Sequence, residues 1–299
     1  MLHLVRMVAL DWAALVSVRL NPLVLLALLL PCAAASGPLR VTDDRGREIV
    51  LSQPAQRIVA LAPNLTELVF AAGAGELLVG VSAYSDYPAA ARKLPRVGDY
   101  GKADRERLLQ FRPDLVIAWG GGNAAGDLAF LENLGIPLYI TEAHHLDDIP
   151  RHLEAIGRLA GTAPQAQFAA ATFRRELREI RGRYAAARPV SVFYQIWHRP
   201  LMTVNGRHLL GEAISLCGGA NPYAALAALT PVVSEESLLA TNPAVIVANG
   251  SADYWQRYPQ LDAVRNHRLY AIDPDLLLRA TPRLVEGTRQ LCEVLEKVR

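Results

Sequence analysis

The residues best suited to recognition in this chain are aromatic. Tyr84, Tyr87, Tyr100, Trp119, Trp197, Tyr254 and Trp255 stand at or near the ends of apolar runs that read as strands. In open α/β sheets ligands bind beyond the carboxyl ends of the strands, and flat faces gathered there suit a large, flat, partly apolar ligand. Taken singly, each of these rings serves a core equally well.

Covalent chemistry has less support. There is no G-x-S-x-G nucleophile elbow, and no acid/base pair of carboxylates stands out. Trp119-Gly-Gly-Gly-Asn123 follows a strand as a phosphate loop would, but it lacks the Lys-Ser/Thr of a P-loop and the spacing of G-x-G-x-x-G. Its glycines suit either close approach of a ligand or a plain tight turn. His144 and His145, with Glu142, Asp147 and Asp148, read as a solvated polar loop; His198 and His208 add no helical His-x-x-x-His pair. No metal and no resident cofactor is expected. An exported α/β enzyme remains a distant alternative.

A segment written twice adds a different kind of contact. Glu106-Arg-Leu-Leu-Gln-Phe-Arg-Pro113-Asp-Leu-Val-Ile-Ala118 returns as Glu236-Ser-Leu-Leu-Ala-Thr-Asn-Pro243-Ala-Val-Ile-Val-Ala248. Each copy reads as a short helix broken before a proline and followed by a buried strand. The duplication implies two similar lobes with one glutamate placed equivalently on each, which fits docking onto a two-fold partner. Favourable placement of an acid at a helix start would also explain the glutamates.

At 299 residues and 52% hydrophobic content, the chain is long and apolar enough for one large domain or two ordinary ones. Its net charge of +2 is mixed along the sequence, with no basic run interleaved with aromatics, so no nucleic acid partner is expected. Arg6 and Arg19 precede Leu23-Val-Leu-Leu-Ala-Leu-Leu-Leu30, and Pro31-Cys-Ala-Ala-Ala-Ser36-Gly supplies small residues for cleavage. Residues 1–36 therefore read as a cleaved signal peptide, too short for a span of ~20 apolar residues. Pro31 argues against a lipidated Cys32, and either Met1 or Met7 serves as the start. Export leaves Cys217 and Cys292, which form a disulfide or stay as two buried thiols.

The elements that must hold these residues alternate. Val41–Leu51 reads as a β-hairpin, Arg57–Ala62 as a buried strand, and Pro63–Ala72 as a helix stopped by Gly73. Strands at 78–82, 114–119 and 137–140, with a helix between the last two, imply βαβ units and a parallel sheet. From Pro164 to about Ala187 a helix of ~30 Å is expected, long enough to bridge two lobes. A second set follows: a strand at 190–194, a helix at 209–216, the repeated unit, a strand at 269–272 and a C-terminal helix from about Arg283 to Val298. The expected organisation is an α/β lobe at 37–160, a connecting helix at 161–188 and a second α/β lobe at 189–299.

Longer strings then carry a resemblance. Val59-Ala-Leu-Ala-Pro-Asn-Leu-Thr-Glu-Leu-Val-Phe-Ala-Ala-Gly73, Gly80-Val-Ser-Ala-Tyr-Ser-Asp-Tyr-Pro88 and Pro113-Asp-Leu-Val-Ile-Ala-Trp-Gly-Gly-Gly-Asn123 resemble the periplasmic cobalamin-binding proteins of vitamin B12 ABC importers. Leu216-Cys-Gly-Gly-Ala-Asn221, Val233-Ser-Glu-Glu-Ser237 and Arg279-Ala-Thr-Pro-Arg283 continue the likeness over essentially all of the exported chain. The resemblance implies two Rossmann-like lobes with parallel-type sheets, joined by one long rigid backbone helix, with a corrinoid bound between them. It implies a periplasmic monomer that delivers its ligand to an inner-membrane ABC permease dimer, and it implies no catalysis.

Carried over residue by residue, the resemblance puts Tyr84 and Trp119 in the cleft, Glu106 and Glu236 against the permease, and a bridge between Cys217 and Cys292. Trp197 joins the ligand set from its place at a strand end. Asp275-Leu276-Leu277-Leu278-Arg279 matches the family's second-lobe binding loop, with leucines where aromatics are usual. Tyr100 and Thr230 also stand where tryptophans are usual, which shrinks the stacking surface. A haem or ferric siderophore binder of the same fold is the alternative, with Tyr84, Tyr100, Arg199 and Arg279 serving an anionic or iron-bearing ligand.

Overall fold

In the computed structural model, which describes residues 37–99 and 101–299, the described chain opens with the hairpin β1 (Leu39–Thr42) and β2 (Glu48–Leu51), paired antiparallel from Leu39 opposite Leu51. The expected signal peptide and Tyr100 lie outside the described residues. Asp43 closes the hairpin turn by accepting from the Arg45 and Arg47 amides at 2.9 and 2.8 Å, the local side-chain bonding that makes aspartate a turn residue.

Two four-stranded parallel sheets follow. The first holds β3 (Ile58–Ala60), β4 (Leu78–Val81), β5 (Leu115–Trp119) and β6 (Leu138–Thr141) in the order β4-β3-β5-β6. The second holds β7 (Val190–Gln195), β8 (Gly219–Ala220), β9 (Val245–Asn249) and β10 (Leu269–Ile272) in the order β10-β9-β7-β8. Ranked by chain order, both sheets read second, first, third, fourth. Their central strands are covered on both faces, so Ile58–Ala60, Leu115–Ala118 and Val245–Ala248 are apolar throughout and fully buried.

Helices α1 (Pro63–Ala71), α2 (Arg105–Gln110) and α3 (Ala125–Asn133) connect the first set of strands. The second set carries α6 (Leu209–Leu216), α7 (Glu235–Thr241), α8 (Asp262–Arg265), α9 (Pro274–Leu277) and α10 (Leu284–Glu296). The duplicated segment forms α2 with β5 in one half and α7 with β9 in the other, so it supplies the third strand of each sheet.

In chain order α4 (Asp148–Ala160) and α5 (Ala163–Tyr184) separate the two sets of strands. Helix α4 is not among the elements expected from sequence; it carries Pro150 in its first turn, where proline is tolerated. At 22 residues, α5 is ~33 Å long. It buries Ala166, Ala170, Phe173, Leu177, Ile180 and Tyr184 along one stripe and packs on α1 and α4 as well as on α6 and α10. One continuous core cluster therefore runs from Ile58 and Leu65 through Phe173 and Leu177 to Val192 and Leu291. A shared core makes the helix a stiff joint rather than a tether. The Cys217–Cys292 disulfide ties the end of α6 to α10.

Candidate functional site

Both sheets reverse strand order between their first and third strands, the place where ligand crevices open at the carboxyl ends of an α/β sheet. In the first half that place carries Pro63-Asn64 and Trp119–Asn123; in the second it carries Ile196-Trp197 and Asn249. An asparagine ties the strand ends on each side. Asn123 Nδ2 donates to the Leu61 carbonyl at 2.8 Å, and its Oδ1 accepts from the Trp119 amide at 2.7 Å. Asn249 Nδ2 donates to the Ile196 carbonyl at 3.0 Å, and its Oδ1 accepts from the Tyr194 hydroxyl at 2.7 Å.

Trp119 owes its orientation to glycine. A Cβ on Gly122 would lie 1.9 Å from the indole Cε3, so a larger residue would push the ring out of place. Of the two uses open to the glycine run, the structure has the tight turn, with the Asn123 amide donating to the Trp119 carbonyl at 3.0 Å. Trp119 is 36% exposed and Trp197 62% exposed. The Trp197 ring is fixed by its Nε1, which donates to the Arg199 carbonyl at 2.9 Å.

Two cavities open here. One of about 250 Å³ is lined from both halves of the chain, by Asn64, Trp119, His152, His208, Leu277 and Arg279 among others. The other, about 510 Å³, is lined by Trp197, His198, Arg199, Asn249 and Pro274. Leu278 borders both. The loop expected at 275–279 begins within the one-turn helix α9, which ends at Leu277 and is capped by Asp273, whose Oδ1 accepts from the Asp275 amide at 2.9 Å. Its three leucines differ: Leu276 and Leu277 are buried, and Leu278 alone presents surface, at 42% exposure.

Arg279 does not wait free for a ligand. Its Nη1 donates to Glu67 Oε1 at 2.8 Å and Asp86 Oδ1 at 3.3 Å, and its Nη2 lies 2.9 Å from Asp275 Oδ2. Arg283 adds a longer contact to Glu67 at 3.4 Å and stacks over the Tyr87 ring at 4.1 Å. Burial pushes the Glu67 carboxyl above its ordinary range even against these cations, and burial likewise raises Asp275. Neither Glu67, Asp86 nor Arg283 is a site residue expected from sequence. A glutamate among the buried Leu65, Leu68 and Val69 of an apolar helix was the available signal.

Tyr84 lies in the same loop as Asp86, 69% exposed, with φ of 61°. That left-handed backbone is uncommon for a tyrosine and marks a held conformation. The loop is built on a buried hydroxyl cluster in which Thr66 donates to Ser85 at 2.9 Å. Tyr84 lines neither of the two cavities. Trp255 is core rather than cleft: it is fully buried, and its Nε1 donates to Gln195 Oε1 at 2.7 Å. Tyr254 bonds Glu235 through its hydroxyl and carries Arg257 over its ring at 4.0 Å.

The expected polar loop is found at 142–147, leads into α4 at Asp148 and also reaches the second half. Asp148 Oδ2 accepts from the His144 and His145 amides at 2.8 and 2.9 Å, and the Leu146 amide donates to Glu212 Oε2 at 2.9 Å. Among the described residues, no group of three or more His, Cys, Asp or Glu is arranged to hold a metal. Glu106 and Glu236 are both exposed and occupy the same position, two residues after the cap of α2 and α7. The caps are Asp104, accepting from the Arg107 amide at 3.0 Å, and Ser234, accepting from the Ser237 amide at 3.1 Å. Backbone and Ser234 hydrogen bonds hold the Glu236 carboxyl below its ordinary range.

Comparison with known proteins bears on this cleft. A family profile described as periplasmic binding protein matches residues 58–276. A vitamin B12-binding protein of Vibrio cholerae is 39% identical over 250 residues, covering 81% of this chain and 90% of that protein. The crystal structure of the periplasmic vitamin B12 binding protein of Vibrio cholerae superposes with a TM-score of 0.77 at 38% identity, over 82% of this chain and 98% of that one. The periplasmic haem-binding protein of Roseiflexus sp. RS-1 gives a TM-score of 0.73 at 25% identity, over 82% of this chain and 99% of that one.

Proposed function

The chain belongs to the periplasmic binding protein family, and from that premise we propose that it captures cobalamin or a related corrinoid in the periplasm and delivers it to an inner-membrane ABC importer. The ligand sits between two lobes, 37–160 and 189–299, which the segment 161–188 joins stiffly; residues 1–36 direct export. The protein acts as a monomer, carries no cofactor of its own and catalyses nothing.

The observation that carries this reading is an exposed tryptophan at the crevice end of each sheet, Trp119 in the first and Trp197 in the second. They stand at the crevice-forming strand ends of two sheets of identical order, and Leu278 lies on the border of the cavities beside them. A stacking surface from each side and an aliphatic floor suit a broad ring system. Tyr84, Tyr100, Asp275 and Arg279 complete the proposed ligand set, with Leu276 and Leu277 supporting Leu278 from the core. Affinity then comes from burying a large ligand against pre-formed walls, with little closure because α5 shares its core with both halves.

The fold-level likeness to a haem-binding protein supports the alternative ligand, haem. The commitment of Arg279 to three carboxylates favours the corrinoid, because a haem propionate would have to displace them. Quenching of tryptophan fluorescence by cyanocobalamin and cobinamide tests the site. Trp119→Leu and Trp197→Leu should each weaken binding about tenfold. Unchanged affinity in both variants would move the ligand elsewhere.

A further inference from the structure

The smaller cavity is bordered by a histidine whose donor is fixed by the fold. His208 lines it from the second half of the chain, together with Trp119 and Leu278. Its Nδ1 accepts from the Leu210 amide at 3.0 Å and so caps α6. A ring nitrogen that accepts carries no proton, which places the proton on Nε2. Burial holds the imidazole down to about 4, so the ring is neutral at neutral pH. Cap and burial agree on one state, a neutral ring with an Nε2–H donor. Turning the ring over would forfeit the cap, so the donor's position is fixed as well as its state.

That donor is not used inside the protein. Among the described residues the ring's only hydrogen bond is the one at Nδ1, and Nε2 is not sealed from solvent. Nε2 therefore opens toward the space that His208 lines.

The other polar side chains around the cavity are committed or adaptable. Thr141 Oγ1 donates to the Ala118 carbonyl at 3.4 Å, Arg279 is held by carboxylates, and His152 Nε2 lies 2.7 Å from Asp44. Asn64 offers both a donor and an acceptor, so it selects neither. His208 by contrast offers one uncharged donor. A ligand edge that turned an N–H or a hydrocarbon toward it would leave that donor unmet in a confined space, whereas an oxygen lone pair satisfies it.

We propose that His208 is a specificity-determining residue for the ligand: its Nε2–H donates to an oxygen on the periphery of the corrinoid. The proposal rests on the corrinoid reading above and adds a polar contact to a site otherwise described by its tryptophans and leucine.

The test follows the His208 ring by nitrogen and proton NMR in protein labelled with nitrogen-15 histidine, with cyanocobalamin as the probe. The ring is identified by its proximity to the Leu210 amide proton. Without ligand it should show a protonated Nε2 and an unprotonated Nδ1 at pH 7. At saturation the Nε2 proton should move downfield and exchange more slowly with water, while Nδ1 hardly moves. In His208→Asn, which keeps an acceptor at the cap but is too short to present the donor, cyanocobalamin should bind about fivefold more weakly. Melting of the unliganded variant should stay unchanged, which separates a lost contact from lost support. An Nε2 proton unmoved at saturation, or a proton found on Nδ1, overturns the contact and leaves the corrinoid reading standing. Unchanged affinity in a folded His208→Asn does the same. If that variant melts early or does not fold, the spectra of the unaltered protein decide alone. Absence of any cyanocobalamin binding rejects the functional reading, and this contact with it.

Discussion

Arg279 Nη1 lies 2.8 Å from Glu67 Oε1, although 212 residues separate the two in sequence. The contact joins the segment after α9 to helix α1, so it fastens the second half of the chain to the first across the cleft. Both side chains are largely withdrawn from solvent, Glu67 almost wholly. A pair in that setting costs desolvation to form, and losing one partner strands the other.

Arg279→Ala should therefore destabilise the protein by about 3 kcal/mol, because Glu67 would keep its buried charge after losing its shortest cation contact. Denaturant unfolding of the unliganded protein checks this. A change below about 0.5 kcal/mol would mean that the pair contributes no more than a surface ion pair.

The acid dependence of Glu67→Gln has a definite sign. Burial raises the Glu67 carboxyl in the folded state above its unfolded value, so the folded protein takes up that proton first on acidification. The ionised group thus penalises folding at neutral pH, and the penalty fades as pH falls through the raised value. Whatever the lost Arg279 pairing costs, the stability of Glu67→Gln relative to the unaltered protein should be greatest at pH 7 and fall toward pH 4. Thermal melts across that window measure it, and an advantage that grows on acidification would contradict the assignment.

The Cys217–Cys292 bridge closes a loop with a sequence separation of 75. In the chain-entropy account, losing it costs roughly 4 kcal/mol. The double variant Cys217→Ser/Cys292→Ser should unfold at correspondingly lower denaturant. Ligand affinity should change little, since both sulfurs are fully buried and line neither cleft cavity.

Glu106 and Glu236 are exposed at matching positions of the duplicated unit, outside both cavities. Reversing both to Arg should abolish uptake in cells dependent on an external corrinoid while leaving the purified protein's affinity intact. Lost affinity would put these residues in ligand binding; normal uptake would remove them from docking.

The plan of the molecule was readable where local pattern decides it. Buried central strands announce themselves as unbroken apolar runs, and the repeated Leu-Leu, Pro and apolar run of 106–118 and 236–248 predicts two alike halves, which the shared strand order matches. Helices α4 and α9 are harder to read because each carries a proline in its first turn, Pro150 and Pro274, which interrupts the local pattern yet is tolerated there. The cleft was only half legible. Trp119 and Trp197 follow strands and can be placed by order alone. The commitment of Arg279 to Glu67 and Asp86, and the placing of His152 and His208 around one cavity, depend on contacts between distant segments that no spacing in the chain encodes.

Calorimetric titration of one preparation with cyanocobalamin and, in parallel, with haemin addresses the central claim most directly. The account predicts a single saturable site for cyanocobalamin and much weaker binding of haemin, because the cleft meets a broad ring with tryptophan and leucine and meets carboxylates with an arginine already paired. Saturable binding of haemin with none of cyanocobalamin would contradict it.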